Sequence, residues 1–299
     1  MEDFVTNKGK FITKDQKHLL IDGDLLCFAA ASAADGRKYK ALDGKFRPIF
    51  DTADEVNNYL KEIGLTSLWR ETIYIPEPVE NCLHSLKLML EAIFEDTCSN
   101  KHTIFITGNG NFRYEVSPSY KANRLNARKP FHLKSCHQYL LDNYNTRIVH
   151  GAEADDMMGI AQSQSAPDST MICTLDKDLD MIPGWHYKWA TQNRSSETYK
   201  TSFTEGMRCF FKQLITGDAT DNIEGLSERA PKRRTYSTKP IDSMDSVEEM
   251  IVYIGRGYLQ KYGDLNTARE KCKEASKLLW ILRKASSYKV LNHNIYLQP

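Results

Sequence analysis

HLLIDGDLLCFAA, residues 18–30, opens as an unbroken apolar run, halts at Asp22 and Asp24, and resumes with Leu25, Leu26, Phe28 and Ala29 at helical spacing. A short apolar run bounded by a turn is the pattern of a buried strand, and the resumption is that of a helix packed behind it. His102–Thr107 (HTIFIT), Thr146–Val149 (TRIV), Thr170–Thr174 (TMICT) and His186–Thr191 (HYKWAT) repeat the strand pattern. Helical patterns at about 79–98, 131–144 and 153–164 separate them. Such alternation predicts an α/β fold with a mainly parallel central sheet and helices on both faces. From 203 onward the pattern is helical, at 203–216, 246–262 and 267–285, with a polar, basic, proline-containing loop over 227–245. The chain therefore divides into an α/β part over 1–202 and a helical part over 203–299.

With 299 residues, 41% of them hydrophobic, the chain can bury a substantial core. No run of about 18 apolar residues occurs, so no membrane span is expected. The opening MEDFVTNKGKFITKDQK is polar and mixed in charge, unlike a secretory signal. Seven scattered cysteines without a CxxC pair read as free thiols of a reducing cytoplasm, not as a disulfide frame or a zinc site. A net charge of +1 says nothing of partners until its distribution is considered.

That distribution is uneven. Asp22 closes the first strand; Glu153, Asp155 and Asp156 follow the third; Asp176 and Asp178, in TLDKDLD, follow the fourth. In an open parallel sheet the ligand crevice lies beyond the carboxyl ends of the strands, so these groups should meet at one edge. GDATDN at 217–222 adds Asp218 and Asp221, spaced one helical turn apart. Acids in a first helical turn can be simple dipole partners, but eight carboxylates with one meeting place disfavour folding unless cations or protons neutralise them. No His or Cys lies within these motifs, and an all-oxygen ligand set suits hard divalent ions, Mg²⁺ or Mn²⁺. Two such ions can carry an in-line phosphoryl displacement.

YKANRLNARKP, residues 120–130, is the basic counterpart. On a helix Lys121, Arg124 and Arg128 would form one stripe, with Lys129 beside it and Arg113 just upstream. Tyr120 could stack on a base, and the cations could meet phosphates. A second basic run, RAPKRR, holds Lys232, Arg233 and Arg234. Beside an acidic metal site, a polyanionic substrate accounts for both.

These motifs are where the chain resembles the 5′→3′ exonucleases of short-tailed bacteriophages, members of the flap endonuclease family. IDGDLL, YKANR, EADDMMG, DKDLD and GDATDN stand in family order, and the resemblance runs from about residue 18 to the terminal IYLQP. It implies that Asp22, Glu153, Asp155 and Asp156 hold a first metal ion and that Asp176, Asp178, Asp218 and Asp221 lie at or near a second. It places Lys121 and Arg124 at the scissile phosphate within a basic helical-arch region near 113–130, with the part from 203 onward binding DNA. It further implies duplex DNA with 5′ ends or flaps as substrate, RNA primers and RNA–DNA hybrids beside it, a monomer, and the host cytoplasm as location. Two departures stand out. Where the family has an acid after the second strand, this chain has Gly108 and Asn109, and GLSERAPKRR matches the family's glycine-patterned hairpin poorly. Three other readings exist, one of them a small acidic ribonuclease of the related PIN type, which shares the sheet logic but usually lacks the long C-terminal part and the YKANR segment. A haloacid-dehalogenase-type phosphatase would use Asp22 as nucleophile, Asp24 as acid and Thr107, leaving EADD, DKDLD and YKANR unexplained. A non-catalytic DNA-binding module would leave the acids unexplained. In the nuclease reading Asp24 caps the first helix.

Overall fold

The computed structural model describes residues 16–227 and 236–285. Along the chain run β1 (His18–Asp22), α1 (Gly23–Ala33), β2 (Asp35–Ala41), β3 (Ile49–Phe50), α2 (Ala53–Glu62), β4 (Arg70–Pro76), α3 (Val79–Thr97) and β5 (His102–Thr107). There follow α4 (Arg113–Val116), α5 (Leu133–Asn143), β6 (Thr146–Val149), α6 (Ala154–Gln164), β7 (Thr170–Cys173), β8 (Gly184–Lys188) and β9 (Glu197–Thr201). Four helices complete the described chain: α7 (Phe203–Thr216), α8 (Lys239–Asp242), α9 (Val247–Tyr262) and α10 (Leu265–Leu279). Contacts divide these into two compact units. One comprises the chain to Leu25, Ala92–Arg128 and Asn143 onward; the other comprises Leu26–Glu91 and Lys129–Asp142.

The first unit carries a six-stranded sheet in the order β6–β5–β1–β7–β8–β9, parallel except for β9 against β8. Four of the five expected strands lie where their apolar runs put them. β1, β5 and β7 are buried on both faces, which is why they read as continuous apolar runs and not as alternating ones. Leu20, Phe105, Val149 and Ile172 share a core with Met158 of α6, Phe210 and Leu214 of α7, and Ile254 of α9. Gly23 lets α1 begin against β5: a Cβ there would lie 2.7 Å from the Ile104 side chain. Because the chain passes from β1 to β5 and β6 and then returns to β7, β1 and β7 flank the point where strand order reverses. Ligands of open α/β sheets bind at such a point.

The fifth strand starts two residues earlier than predicted, at Gly184, whose φ of 128° only glycine tolerates well. β9, ETYKT, was not anticipated: it is an exposed edge strand with one buried residue and little apolar signal. The second unit's three-stranded sheet, β3–β2–β4, also escaped prediction. Its charged strands bury only one face, where Tyr39 and Ala41 meet Val56 and Leu60 of α2. Capping boxes at Thr52 and Ser202 start α2 and α7. The described cysteines are free thiols, and no described helix is long and apolar enough to cross a membrane.

Candidate active site

Asp22, the last residue of β1, is 3% exposed. One oxygen accepts from Leu25 N at 3.0 Å and the other from the Thr174 hydroxyl at 2.7 Å. Burial, reinforced by Asp24 and Asp176, pushes its pKa up to about 7 against those hydrogen bonds. Thr174 also accepts from Asp176 N at 3.0 Å, so one hydroxyl ties the Asp22 carboxylate to the backbone of Asp176 just beyond β7. Sequence reading missed that role, because a threonine closing an apolar run carries no signal of it.

Asp155, in the first turn of α6, has its pKa raised well above the usual range, by burial first and then by Asp22, Asp176 and Glu153. Asp176 accepts from Asp178 N at 2.8 Å and so starts the 3-10 turn Lys177–Met181. Asp178 is pushed up to about 7 by burial, Asp176 and Asp218, and its buried Oδ1 has no hydrogen-bond partner.

Asp218 and Asp221 occupy a closed loop, not the helical turn their spacing suggested. Asp218 and Ile223 exchange backbone hydrogen bonds of 3.0 and 2.7 Å, while Asp218 Oδ1 accepts from Thr220 N at 2.7 Å. Beneath the loop two glycines cross. A Cβ on Gly225 would lie 2.2 Å from Gly217 N and 2.5 Å from Ile215 O, and Gly217 itself has a φ of 64°. Backbone cannot yield as a side chain can, so Gly225→Ala should destabilise the protein by about 1–3 kcal/mol. It should also depress activity, because both acids ride on the displaced loop. A melting curve and a rate on the same sample test this; an unchanged rate would detach the loop from the chemistry.

YKANR is not helical. Lys121 is left-handed (φ 54°), and only a 3-10 turn, Ala122–Arg124, follows before α5. Tertiary bonds replace helical ones: Lys121 N donates to Asp221 O at 2.9 Å, Asn123 to Ala219 O at 2.9 Å, and Arg124 Nε to Thr220 O at 3.0 Å. The stripe of Lys121, Arg124 and Arg128 on a helical arch is therefore corrected to a loop stapled onto GDATDN. Lys121 binds Glu153 and stands 3.5 Å from Asp221, and Arg124 pairs with Asp221. Burial works against the Lys121 charge, but Glu153 and Asp221 prevail and raise its pKa.

Three expected roles are corrected by burial. Asp156 is fully buried and its carboxylate is committed to hydrogen bonds within the protein. Its oxygens receive both ends of the Arg113 guanidinium, at 2.7 and 2.9 Å, together with Glu153 N and Leu282 N. Arg113, 2% exposed, also donates to the carbonyls of Leu278 and Trp280, so it is structural and not available to DNA. Tyr120, likewise 2% exposed, has no face for a base; its hydroxyl donates to Glu153 and Asp221 at 3.1 and 2.9 Å. Arg128 and Lys129 are exposed. Lys232, Arg233 and Arg234 lie outside the described residues. Asn109 is exposed and its backbone N–H donates to His150 Nδ1 at 3.1 Å, while a side chain at position 108 would strike the His150 ring.

Besides Asp156, which Arg113 neutralises, seven carboxylates are linked electrostatically, neighbour to neighbour: Asp22, Glu153, Asp155, Asp176, Asp178, Asp218 and Asp221. Among the described residues no three His, Cys, Asp or Glu side chains are gathered closely enough to hold a metal ion as they stand. The donor chemistry nevertheless fits one. The set is all oxygen, burial and then neighbouring carboxylates raise the pKa of Asp22, Asp155 and Asp178, and a buried Asp178 oxygen is unsatisfied.

In fold, the chain is similar to solved structures of a phage nuclease. The chain superposes with a TM-score of 0.57 and 14% identity on the crystal structure of the phage T5 D15 protein co-crystallised with metal ions, over 94% of this chain and 95% of that one. With the T5 D15 flap endonuclease in its complex with DNA and metal ions the TM-score is 0.50 at 17% identity, over 72% and 86%. In sequence the chain is a relative of phage exonucleases. It is 26% identical over 230 residues to the exodeoxyribonuclease of Enterobacteria phage T3, covering 71% of this chain and 63% of that protein. It is equally identical over 231 residues to the exonuclease of Escherichia phage T7, covering 71% and 64%. These matches span a little under two thirds of either relative. No protein-family model matches the chain.

Proposed function

We propose that the chain is a Mg²⁺- or Mn²⁺-dependent exonuclease that hydrolyses duplex DNA from 5′ ends. The observation that carries this is the linked set of seven carboxylates from four segments, with Lys121 between Glu153 and Asp221. Asp22, Glu153, Asp155, Asp176, Asp178, Asp218 and Asp221 would hold two ions between them, and bound ions would supply an acidified water and a Lewis acid. Thr174 holds Asp22 in place, and the Arg113–Asp156 pair anchors the amino end of α6 that carries Glu153 and Asp155. Lys121 and Arg124 are the cations at hand for a phosphate. The helices from Phe203 onward would grip the duplex. Removal of flaps and RNA primers, breakdown of host DNA, action as a monomer and a place in the host cytoplasm complete the reading.

Labelling one strand end of a duplex at a time tests the polarity. With Mg²⁺ the 5′ label should be released first, and with EDTA neither; first release of the 3′ label would reverse the assignment.

The phosphatase alternative fares worse, since two of the three residues it needs, Asp24 and Thr107, are committed to each other and to α6. Asp24, in the first turn of α1, accepts from Thr107 N at 2.9 Å, and Thr107 Oγ1 accepts from Ala154 N at 3.0 Å. Asp24→Asn keeps a carbonyl for Thr107 N but cannot donate a proton as an acid. It should retain most DNA cleavage, whereas Asp22→Asn should lose it. Equal loss in both, with phosphatase activity in the wild type, would favour the alternative.

A further inference from the structure

In the second unit, the turn joining β2 to β3 (LDGKFRP, residues 42–48) is built around one inward-facing acid. Asp43 Oδ1 accepts from the backbone N–H of Lys45, Phe46 and Arg47 at 3.0, 3.0 and 2.8 Å, and Oδ2 from the Tyr59 hydroxyl at 2.6 Å. Ala41 N donates to Pro48 O at 2.9 Å and closes the hairpin. The tip is therefore ordered by its own hydrogen bonds, yet it presents Phe46 with 83% of its surface in water. Leu42 N donates to Trp69 O at 2.8 Å, which brings a second aromatic, 51% exposed, to the same end of the three-stranded sheet.

Single exposed apolar side chains need no explanation. Two features set this group apart. Lys45 and Arg47 flank Phe46 and are exposed, while the turn's lone acid, Asp43, is turned inward. Arg47 is also held at φ 47°, a conformation that glycine or asparagine adopts at less cost. An arginine kept at a strained position points to a use for its side chain.

We propose that Phe46 and Trp69, with Lys45 and Arg47, form a binding site for single-stranded nucleic acid. Bases stack on the two rings and the cations meet the intervening phosphates, the pairing that sequence-tolerant strand binding uses. The flanking positive charge favours this polyanion over an apolar protein partner. The proposal shares only its ligand class with the nuclease reading, and its test reads binding without cleavage.

The full chain is titrated with a fluorescent oligothymidylate in EDTA. Phe46→Ala/Trp69→Ala should weaken binding by roughly tenfold or more for each ring removed, and Phe46→Tyr, which keeps a stacking face, should bind as wild type does. Lys45→Gln should lower the salt slope by about 0.7. Arg47→Gly is the sharpest arm: it relieves strain, so the melting temperature should hold or rise while affinity falls. Wild-type affinity in the double aromatic variant or in Arg47→Gly overturns the site. A patch made for a protein partner would give that result.

Discussion

On the proposed nuclease reading, Asp155→Asn will give a folded protein that no longer cleaves DNA and whose metal-free stability depends less on pH than that of the wild type. Asp22 and Asp178 are pushed up to about 7, and Asp155 well above its usual range, chiefly by burial and then by neighbouring carboxylates. In the unfolded chain each would titrate near 3.9. Below that pH both states are protonated and the groups make no difference. As pH rises toward 7 the unfolded chain releases protons that the folded chain retains, so folding loses roughly 1.4 kcal/mol per unit for each such group. The metal-free protein should therefore lose this contribution between about pH 4 and 7, and saturating Mg²⁺, which binds only the folded state, should restore it. An amide at 155 removes one charge from the cluster and relaxes its neighbours. Cleavage should fall on the order of 10³-fold or more, because the several kcal/mol that a metal supplies each count tenfold per 1.36. Melting temperatures at pH 5 and pH 8, with EDTA and with Mg²⁺, together with a cleavage rate, decide it. A variant with the wild-type pH slope and measurable wild-type cutting would mean that the acids are surface decoration.

How much of this could be read in the sequence depends on whether the cause is local. β1, β5 and β7 were legible because burial on both faces writes itself as apolar runs; β6, two of whose four residues are exposed, was legible from its β-rich TRIV run and its place between helical patterns, and the placing of the acids followed from strand ends in a parallel sheet. β2 to β4 were not, since a sheet covered on one face by a single helix leaves charged residues along its strands. YKANR was misread for a different reason. Its cations do fall at helical spacing, but Lys121 N, Asn123 and Arg124 hydrogen-bond to the GDATDN loop some 100 residues later, and no local pattern encodes that. The crossing of Gly217 and Gly225 is similar: each glycine is visible, and their contact is not. Asp156 shows the limit most clearly. Three acids stand within four positions, and the one that points inward is selected by Arg113, 43 residues upstream.

Replacing that arginine should be the most damaging single change to stability in the molecule. Arg113→Met keeps the stem's volume but leaves Asp156 as a buried carboxylate with its charge unopposed, and strips two carbonyls, of Leu278 and Trp280, of their donors. Breaking a buried pair from one side costs about 3–5 kcal/mol. For a chain of this size that corresponds to a fall in melting temperature on the order of 10 °C. Removing both charges is a different experiment. Arg113→Met/Asp156→Leu leaves no uncompensated ion, and buried pairs replaced by apolar residues are often no less stable; the double variant should recover much of the loss. Leu282 N, which Asp156 also satisfies, limits that recovery. Had Arg113 been a DNA contact, the single variant would melt like the wild type and bind DNA with a shallower salt slope. Thermal denaturation of the single and double variants, run beside a DNA-binding salt titration, separates the two roles: a wild-type melting temperature in Arg113→Met would return this residue to the DNA interface.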